Sequence, residues 1–320
     1  MSGSVVEIED VAEKARSIVR EVGKVFKGEE SIVETAVAIL LSEGHLLIEG
    51  LPGTGKTLLA KTLAKTIGGK YSRIQGNPDV LPSDILGFHV YRLDGSKEFI
   101  PGPIFSNIVL FDELNRAPLR SQAALLEAMQ EKQATIDGIR YPIKRPFMVI
   151  ATEIPYRLGR GINPLTETLV DRFSAKIGLD YVDPRTEFEI IRVSDLADTL
   201  EGVETVASLE EVLAIIDLIK KRVTGGARVL KYIVDLVSYI RGHEAVELGP
   251  SHRGSVFLFR IARSYAAMQK RDYIIPDDVK RFAVEVLSHR IVLKQEREVE
   301  GVKPEDVIRE ALDTVKVPKE

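Results

Sequence analysis

The sequence predicts an α/β domain with a parallel sheet, followed by an all-helical domain. In the first part of the chain, short apolar runs such as HLLIEG, NIVLFDE and FMVIATE alternate with helical patterns. This alternation is typical of a parallel sheet that is covered by helices on both faces. After the segment DYVDPRTE the strand patterns stop, and four amphipathic helical patterns follow. We therefore predict a boundary near Asp183-Pro184, which divides the chain into domains 1–183 and 184–320.

Residues 7–43 predict two helices, because their apolar residues recur at helical spacing. Two later segments interrupt the alternation of strands and helices, and each contains a turn sequence, DGS at 94–96 and DG at 137–138. Both segments predict β-hairpins, for which surface decoration is an alternative role. In the second domain, Ser208 with Glu211 predicts the start of a helix.

Composition narrows the class of protein. The chain has 320 residues, 44% of them hydrophobic, and a net charge of only -4, so it lacks the strong basic field of a dedicated nucleic-acid binder. It contains no cysteine, which excludes disulfides and cysteine metal sites. The acidic start lacks the apolar region of a signal peptide, and no apolar run approaches the ~20 residues that span a bilayer. We expect a cytoplasmic protein without a membrane segment.

Residues 50–57, GLPGTGKT, match the full P-loop pattern between a predicted strand and a predicted helix. The glycines allow a turn whose backbone N–H groups face phosphates. Lys56 would contact the β- and γ-phosphates of ATP, and Thr57 would bind Mg²⁺ through its hydroxyl. The candidate nucleotide-binding residues of this segment are Gly50, Pro52, Gly53, Thr54, Gly55, Lys56, Thr57 and Leu58.

The second chemical element is NIVLFDEL, an apolar strand that ends in two acidic residues, Asp112 and Glu113. We call them the acidic pair. Ligands of open α/β sheets bind at the carboxyl ends of the strands, so the pair is predicted to face the nucleotide. Asp112 would hold Mg²⁺, and Glu113 would orient the attacking water or accept its proton. An exposed acidic strand end is the alternative.

The remaining sequence argues against two other classes of P-loop protein. A signalling GTPase needs a guanine-reading motif of the Asn-Lys-x-Asp kind, which does not occur in the chain. A small-molecule kinase is usually a compact single domain and would not need a long helical domain after its nucleotide site.

Several motifs together resemble the MoxR family of AAA+ ATPases. They are the P-loop, LFDELNRAPLRSQAALLEAMQEKQATIDG, LVDRF, GPSHRGSVFLFRIARSYAAMQKRDYIIPDDVK and VLSHRIVL, and they span about residues 25–317. The resemblance implies an αβα nucleotide-binding domain with a helical C-terminal lid, assembled as a homo-oligomeric ring of six subunits. It also implies ATP hydrolysis at the subunit interfaces, a protein client, and a partner with a von Willebrand factor A domain. The two hairpins resemble inserts that line the central pore.

The resemblance also assigns arginine residues. Arg172, in DRF, matches the arginine finger, which stabilises charge on the γ-phosphate of a neighbouring subunit. Taken alone, a surface salt bridge is an alternative role for it. Arg253, in SHRGS, matches the sensor-2 arginine, which would couple the phosphate state to the angle of the lid. An arginine at a helix start opposes the helix dipole unless an anion is present. Arg116, in ELNRA, resembles a family position near the subunit interface. The predicted catalytic residues are thus Lys56, Glu113, Arg172 and Arg253.

One stretch departs from the family pattern. After the fourth strand the family usually has Ala-Thr-Gln-Asn-Pro, in which Asn is the sensor-1 residue, but this chain has ATEIP. Ile154 cannot form a hydrogen bond with water or phosphate. Either Thr152 or Glu153 replaces the missing side chain, or hydrolysis is slow. A glutamate near the γ-phosphate would also add repulsion unless it faces a cation.

Three functions therefore compete. The first is an ATP-hydrolysing ring that remodels protein complexes, as the resemblance implies. The second is an ATP-dependent binding switch or scaffold with weak turnover, which the ATEIP stretch favours. The third is a nucleic-acid motor. Near-neutral charge makes nucleic acid an unfavoured partner, although basic residues in the hairpins keep this alternative open.

Overall fold

The computed structural model describes residues 7–155, 161–194, 200 and 202–318. The first six residues, on which the expectation of no signal peptide partly rests, lie outside this part of the chain. In chain order the strands are β1 (Leu46–Gly50), β2 (Tyr71–Gln75), β3 (Gly87–Tyr91), β4 (Lys97–Pro101), β5 (Ile108–Asp112), β6 (Gln133–Ile136), β7 (Ile139–Pro142), β8 (Met148–Glu153), β9 (Ala175–Leu179), β10 (Val246–Leu248) and β11 (Val292–Leu293).

The helices of the described residues divide between the two parts of the chain. The helices that precede Asp183 are α1 (Ile8–Val25), α2 (Glu30–Leu41), α3 (Lys56–Thr66), α4 (Pro82–Leu86), α5 (Leu119–Ala123), α6 (Leu125–Glu131) and α7 (Glu167–Val170). The later ones are α8 (Pro184–Arg192), α9 (Leu209–Arg222), α10 (Ala227–Gly242), α11 (His252–Met268), α12 (Pro276–Leu287), α13 (Gln295–Val299) and α14 (Pro304–Thr314). Of the helices in the described ranges, none is both long and apolar enough to cross a membrane.

Five strands form one parallel sheet in the order β2-β5-β8-β1-β9, which confirms the predicted α/β domain. The side chains alternate between two apolar layers, as the pleat of a strand requires. In β1, for example, Leu46 and Ile48 face the layer that contains α1, α2 and α3, whereas Leu47 faces the layer that contains α6. Burial on both faces explains why these strands are continuous apolar runs in the sequence.

Both predicted hairpins are confirmed as antiparallel pairs outside the main sheet, β3 with β4 and β6 with β7. They are connected by His89, whose Nδ1 lies 2.8 Å from Oδ2 of Asp137 and whose Nε2 lies 2.8 Å from the hydroxyl of Tyr141. Phe99 of β4 also stacks on Tyr141 of β7, with 4.0 Å between the ring centroids. The two hairpins therefore pack against each other and form a single unit at the surface.

The predicted helical domain after the sheet is confirmed as well, although it is not all-helical, because the short strands β10 and β11 pair within it. Its helix α11 packs against α12 and also against α1 and α2 of the N-terminal region. The first helix after the sheet begins at Pro184, and the carboxylate of Asp183 accepts hydrogen bonds from the N–H groups of Arg185 and Thr186. The domain division at residues 183 and 184 stays a prediction.

A buried carboxylate connects the sheet domain to the helical domain. Glu43, in the turn before β1, pairs with Lys132 before β6, Arg145 before β8 and Lys220 of α9. Arg145 also pairs with Asp217 of α9 at 3.2 Å. These ion pairs hold α9 against the end of the sheet at which the strands begin.

Candidate nucleotide-binding site

The turn between β1 and α3 requires glycine at several positions. Gly53 and Gly55 have φ angles of +83° and +85°, a region that residues with a side chain rarely adopt. A Cβ atom on Gly50 would lie 2.4 Å from the carbonyl oxygen of Leu179 on the neighbouring strand β9. The helix α3, which is described throughout, has no acidic residue in its first turn. Its free N–H groups and its dipole therefore favour an anion at this place.

Lys56 lies over this turn. Its Nζ donates to the carbonyl oxygens of Gly50 and Leu51, at 3.1 and 2.5 Å, and to the hydroxyl of Thr54 at 3.3 Å. Burial lowers the pKa of Lys56, while the charges of the acidic pair raise it. An ammonium group with carbonyl and hydroxyl partners can still bind a phosphate as counter-ion, so the segment fits a nucleoside triphosphate.

The acidic pair lies at the carboxyl end of the central strand β5, as predicted. Asp112 accepts hydrogen bonds from the hydroxyl of Thr152 at 2.8 Å and from Nη2 of Arg73 at 2.6 Å. The carboxylate of Asp112 and the hydroxyl of Thr57 are oxygen donors of the kind that Mg²⁺ prefers. The donor types at the site therefore fit a magnesium nucleotide.

Glu113 has an unusual backbone and several polar neighbours. It adopts a left-handed conformation, with φ 55° and ψ 50°. Its Oε2 lies 3.0 Å from Nε of Arg116 and 3.3 Å from the amide nitrogen of Gln75. A Cβ atom on Gly76 would lie only 2.0 Å from the Glu113 carbonyl oxygen, so this approach of β2 to the acidic pair requires glycine.

Sequence reasoning missed Arg73, Gln75 and Gly76. They lie in the segment RIQG at the end of β2, which pairs with β5 so that Gln75 is opposite Asp112. The available signal was a polar end to a short strand. That signal identifies a site only once β2 is known to be the neighbour of β5.

The polar side chains of the ATEIP stretch make two separate sets of contacts. Thr152 contacts the acidic pair, whereas Glu153 forms an ion pair with Lys176 of β9 at 2.8 Å. Burial raises the pKa of Glu153, and Lys176 partly opposes that effect. The side chain of Ile154 is buried, and its backbone N–H and C=O groups bond to the amide of Asn115. Of the two substitutes considered for the missing asparagine, Thr152 is the one that contacts the acidic pair.

The two predicted arginines lie together. Arg172 and Arg253 both donate to Oε1 of Gln130, at 2.9 and 3.1 Å. Arg253 also pairs with Asp171 at 3.1 Å, and the Ser251 hydroxyl donates to the same carboxylate. Asp171 is thus the anion that balances an arginine at the start of α11.

This arginine cluster lies far from the P-loop of its own chain. Arg172 precedes β9, and Ala175 of β9 is opposite Leu46 at the beginning of β1. The P-loop follows the other end of β1. The four residue steps between these ends correspond to about 13 Å at the rise of a β-strand. The structure therefore places Lys56 and the acidic pair at the end of the sheet where the strands finish. It places Arg172 and Arg253 at the end where the strands begin.

A cavity of about 1460 Å³ extends from the P-loop along β9 towards the helical domain. Its lining includes Phe26, Gly53, Lys176, Tyr181 and Arg281. Among the described residues, Lys56, the acidic pair and the two clustered arginines lie outside this lining. The cavity has room for a nucleotide beside the phosphate-binding turn.

Comparison with known proteins gives consistent matches. Residues 45–175 match the profile described as "ATPase family associated with various cellular activities (AAA)", and residues 239–311 match the AAA lid domain. The chain is 38% identical to YeaC of Bacillus subtilis, described as uncharacterized, over 97% of each protein. It is also 38% identical to "Chaperone MoxR1" of Mycobacterium tuberculosis, over 93% of this chain and 81% of that protein. The crystal structure of a proposed ATPase from Cytophaga hutchinsonii superimposes with a TM-score of 0.89 at 39% identity, over 98% of this chain and 97% of the other.

Proposed function

Because the chain belongs to the MoxR family of AAA+ ATPases, we propose that it hydrolyses ATP in a ring of identical subunits and uses the cycle to remodel protein complexes. Members of this family are nucleotide-binding proteins that generally oligomerise. Beyond these family properties, we propose that the ring has six subunits, that it hydrolyses ATP and that it remodels protein complexes.

Residues at the carboxyl end of the sheet, around the P-loop, would bind and hydrolyse the nucleotide. Lys56 and the N–H groups at the start of α3 would bind the phosphates, and Thr57 with Asp112 would hold Mg²⁺. Bound Mg²⁺ would supply positive charge that stabilises the phosphates during hydrolysis. Glu113 would orient the attacking water and accept its proton. The close packing of Gly76 against the Glu113 backbone and the contacts of its carboxylate with Arg116 and Gln75 support this role, because they fix the position of Glu113.

The separation of the arginine cluster from the P-loop carries the ring proposal. At the end of the sheet opposite to the phosphate-binding turn, Arg172 and Arg253 bond to Gln130 and Asp171 rather than to the nucleotide site of their own chain. In a ring, the same edge would meet the nucleotide of the next subunit, where both arginines would stabilise phosphate charge in trans. Arg253 would then report on the neighbour's nucleotide, and the bond that each arginine makes to Gln130 would keep the two in register.

The paired hairpins support the remodelling part of the proposal. Tyr91 and Leu93 at the end of the β3–β4 hairpin are largely exposed, which suits contact with a protein client. A change at the nucleotide site would move these side chains against the client. The name of one relative, a chaperone of M. tuberculosis, supports this kind of task. We further propose a partner with a von Willebrand factor A domain.

One observation favours a second candidate, an ATP-dependent switch with weak turnover. Ile154 occupies the sensor-1 position and is buried, so the side chain that usually contacts the attacking water or the γ-phosphate is missing. In this case the chain would bind ATP, change its affinity for a partner, and hydrolyse the nucleotide only incidentally.

Steady-state turnover of Mg-ATP, measured over a range of protein concentrations, separates the two candidates. For the ring ATPase we expect turnover per subunit to rise with concentration and to be lost in Glu113→Gln. Equal and negligible turnover in both proteins, with ATP still bound, would favour the switch. Lys56→Ala serves as the control that should lose nucleotide binding, and tight ATP binding by this variant would refute the P-loop assignment.

The trans role of the arginines has its own test. Arg172→Ala should bind ATP normally and have no turnover. Mixing it with Glu113→Gln subunits should restore part of the activity, because some interfaces then combine an intact Glu113 with an intact Arg172. If mixed rings are detected by native mass spectrometry and turnover stays absent, the arginine does not act across the interface.

A further inference from the structure

The strand ladder beside the acidic pair ends in an irregular way. The strands β5 and β8 pair in register from Ile108–Met148 to Phe111–Ala151. The chain then turns at Glu113, which has a left-handed backbone conformation. The hydroxyl oxygen of Thr152 accepts this N–H at 2.7 Å. A side chain therefore takes the place of a backbone partner at the residue proposed to activate water.

The same hydroxyl is also committed to the other member of the acidic pair. A threonine hydroxyl has one proton to donate and two lone pairs. The proton of Thr152 is donated to Oδ1 of Asp112 at 2.8 Å, while a lone pair accepts the N–H of Glu113. Thr152 is 1% exposed, so water does not compete for these bonds. One hydroxyl thus fixes the position of both acids.

Other side chains of the ATEIP stretch cannot share this role. Glu153 points to Lys176, and the side chain of Ile154 is apolar. Asn115 holds the backbone of Ile154 through two hydrogen bonds, at 2.8 and 3.2 Å. Between residues 151 and 155, all of them described, Thr152 is the side chain that connects the stretch to the acidic pair.

We propose that Thr152 is a positioning residue for ATP hydrolysis, one that orients Asp112 towards Mg²⁺ and Glu113 towards water in a chain without a sensor-1 asparagine. This inference rests on the proposed ATPase function. We therefore expect the wild-type chain to hydrolyse ATP although it has Ile154 at the sensor-1 position, because a buried hydroxyl already fixes the acidic pair.

Two substitutions separate the hydroxyl from the rest of the side chain. Thr152→Val keeps the shape and removes the hydroxyl, whereas Thr152→Ser keeps the hydroxyl and removes the methyl group. We expect Thr152→Val to lower kcat about 10- to 100-fold, the factor for losing one hydrogen bond to a charged group, with KM changed much less. Thr152→Ser should stay within about threefold of the wild-type protein on the same scale.

A second readout does not depend on turnover. The Mg²⁺ concentration that half-saturates the binding of a fluorescent ATP analogue should rise in Thr152→Val, whereas binding of the analogue without Mg²⁺ should stay unchanged. If the wild-type protein has no turnover, the ATPase proposal fails, and the Mg²⁺ titration still tests the role of Thr152 in orienting Asp112.

The proposal is overturned if Thr152→Val matches the wild-type protein in both kcat and Mg²⁺ dependence. It is also overturned if Thr152→Ser is as defective as Thr152→Val, because the methyl group rather than the hydroxyl would then matter. Circular dichroism checks folding. If the valine variant does not fold, Thr152→Ala, which also lacks the hydroxyl and is too small to clash, takes its place in the same measurements.

Discussion

Replacement of Glu43 by glutamine should destabilise the folded chain by about 3 kcal/mol. The Glu43 side chain is 7% exposed and accepts hydrogen bonds from Lys132, Arg145 and Lys220. Burial raises the pKa of this carboxyl group, but the three cations outweigh burial and lower the pKa from 4.5 to about 2. At about 1.4 kcal/mol for each pKa unit, the shift corresponds to the stated free energy of unfolding. Glutamine keeps the size of the side chain and loses the charge.

The pH dependence gives the sign of the effect. Because the folded-state pKa lies below that of the unfolded chain, the stabilisation is present above about pH 4.5 and is lost as the pH falls towards 2. Glutamine does not titrate in this range. The difference in the free energy of unfolding between the two proteins should therefore fall from about 3 kcal/mol at pH 7 to about half of that at pH 3.

Urea denaturation followed by circular dichroism at several pH values measures this difference. Glu247→Gln, at an exposed position of β10, is the matched control and should change the free energy of unfolding by less than about 0.5 kcal/mol. The reasoning fails if Glu43→Gln is as stable as the control at pH 7. It also fails if the difference between variant and wild type does not shrink as the pH is lowered.

Three further substitutions test other parts of the structure. Gly76→Ala places a methyl group where only 2.0 Å separates it from the Glu113 carbonyl oxygen, so we expect displacement of Glu113 and loss of turnover; unchanged turnover would contradict this packing. Asp171→Asn removes the carboxylate that pairs with the buried Arg290, whose side chain is 1% exposed. We expect the free energy of unfolding, measured by denaturant titration, to fall by about 3 kcal/mol, and a change below about 1 kcal/mol would contradict the pairing. Glu153→Gln removes a carboxylate whose pKa is raised by burial, although this carboxylate also raises the pKa of Lys176. Because Lys176 keeps its ion pair with Glu49, stability at pH 7 should stay the same or increase; a large loss would mean that the pair of Glu153 with Lys176 outweighs burial.

Local patterns were sufficient for the fold class and for the position of the phosphate-binding turn. The P-loop is one continuous segment, and its glycines are required by backbone geometry that the structure displays at Gly53 and Gly55. The alternation of apolar strands with helices predicted the parallel sheet for an equally local reason, since burial on both faces leaves a continuous apolar run. Both hairpins followed from their turn sequences.

The residues that sequence reasoning missed have a common physical cause. Arg73 and Gln75 reach the acidic pair because β2 is the neighbour of β5. The choice between Thr152 and Glu153, which the sequence left open, depends in the same way on β8 being the neighbour of β5 on the other side. Strand order is decided by long-range packing and leaves no mark on the spacing of residues along the chain. The grouping of Arg172 with Arg253 has the same origin, since it depends on where the helical domain packs against the sheet.

The placement of the P-loop and the arginine cluster at opposite edges has a consequence for mixed populations of chains. If the ring forms as proposed, each subunit supplies half of two different sites, so the number of complete sites depends on pairs of neighbours rather than on single subunits. A chain defective at both Lys56 and Arg172 would spoil two sites at once. Produced in equal amount with the intact chain and mixed at random, it would leave about a quarter of the sites complete, which is the arithmetic of a dominant negative allele.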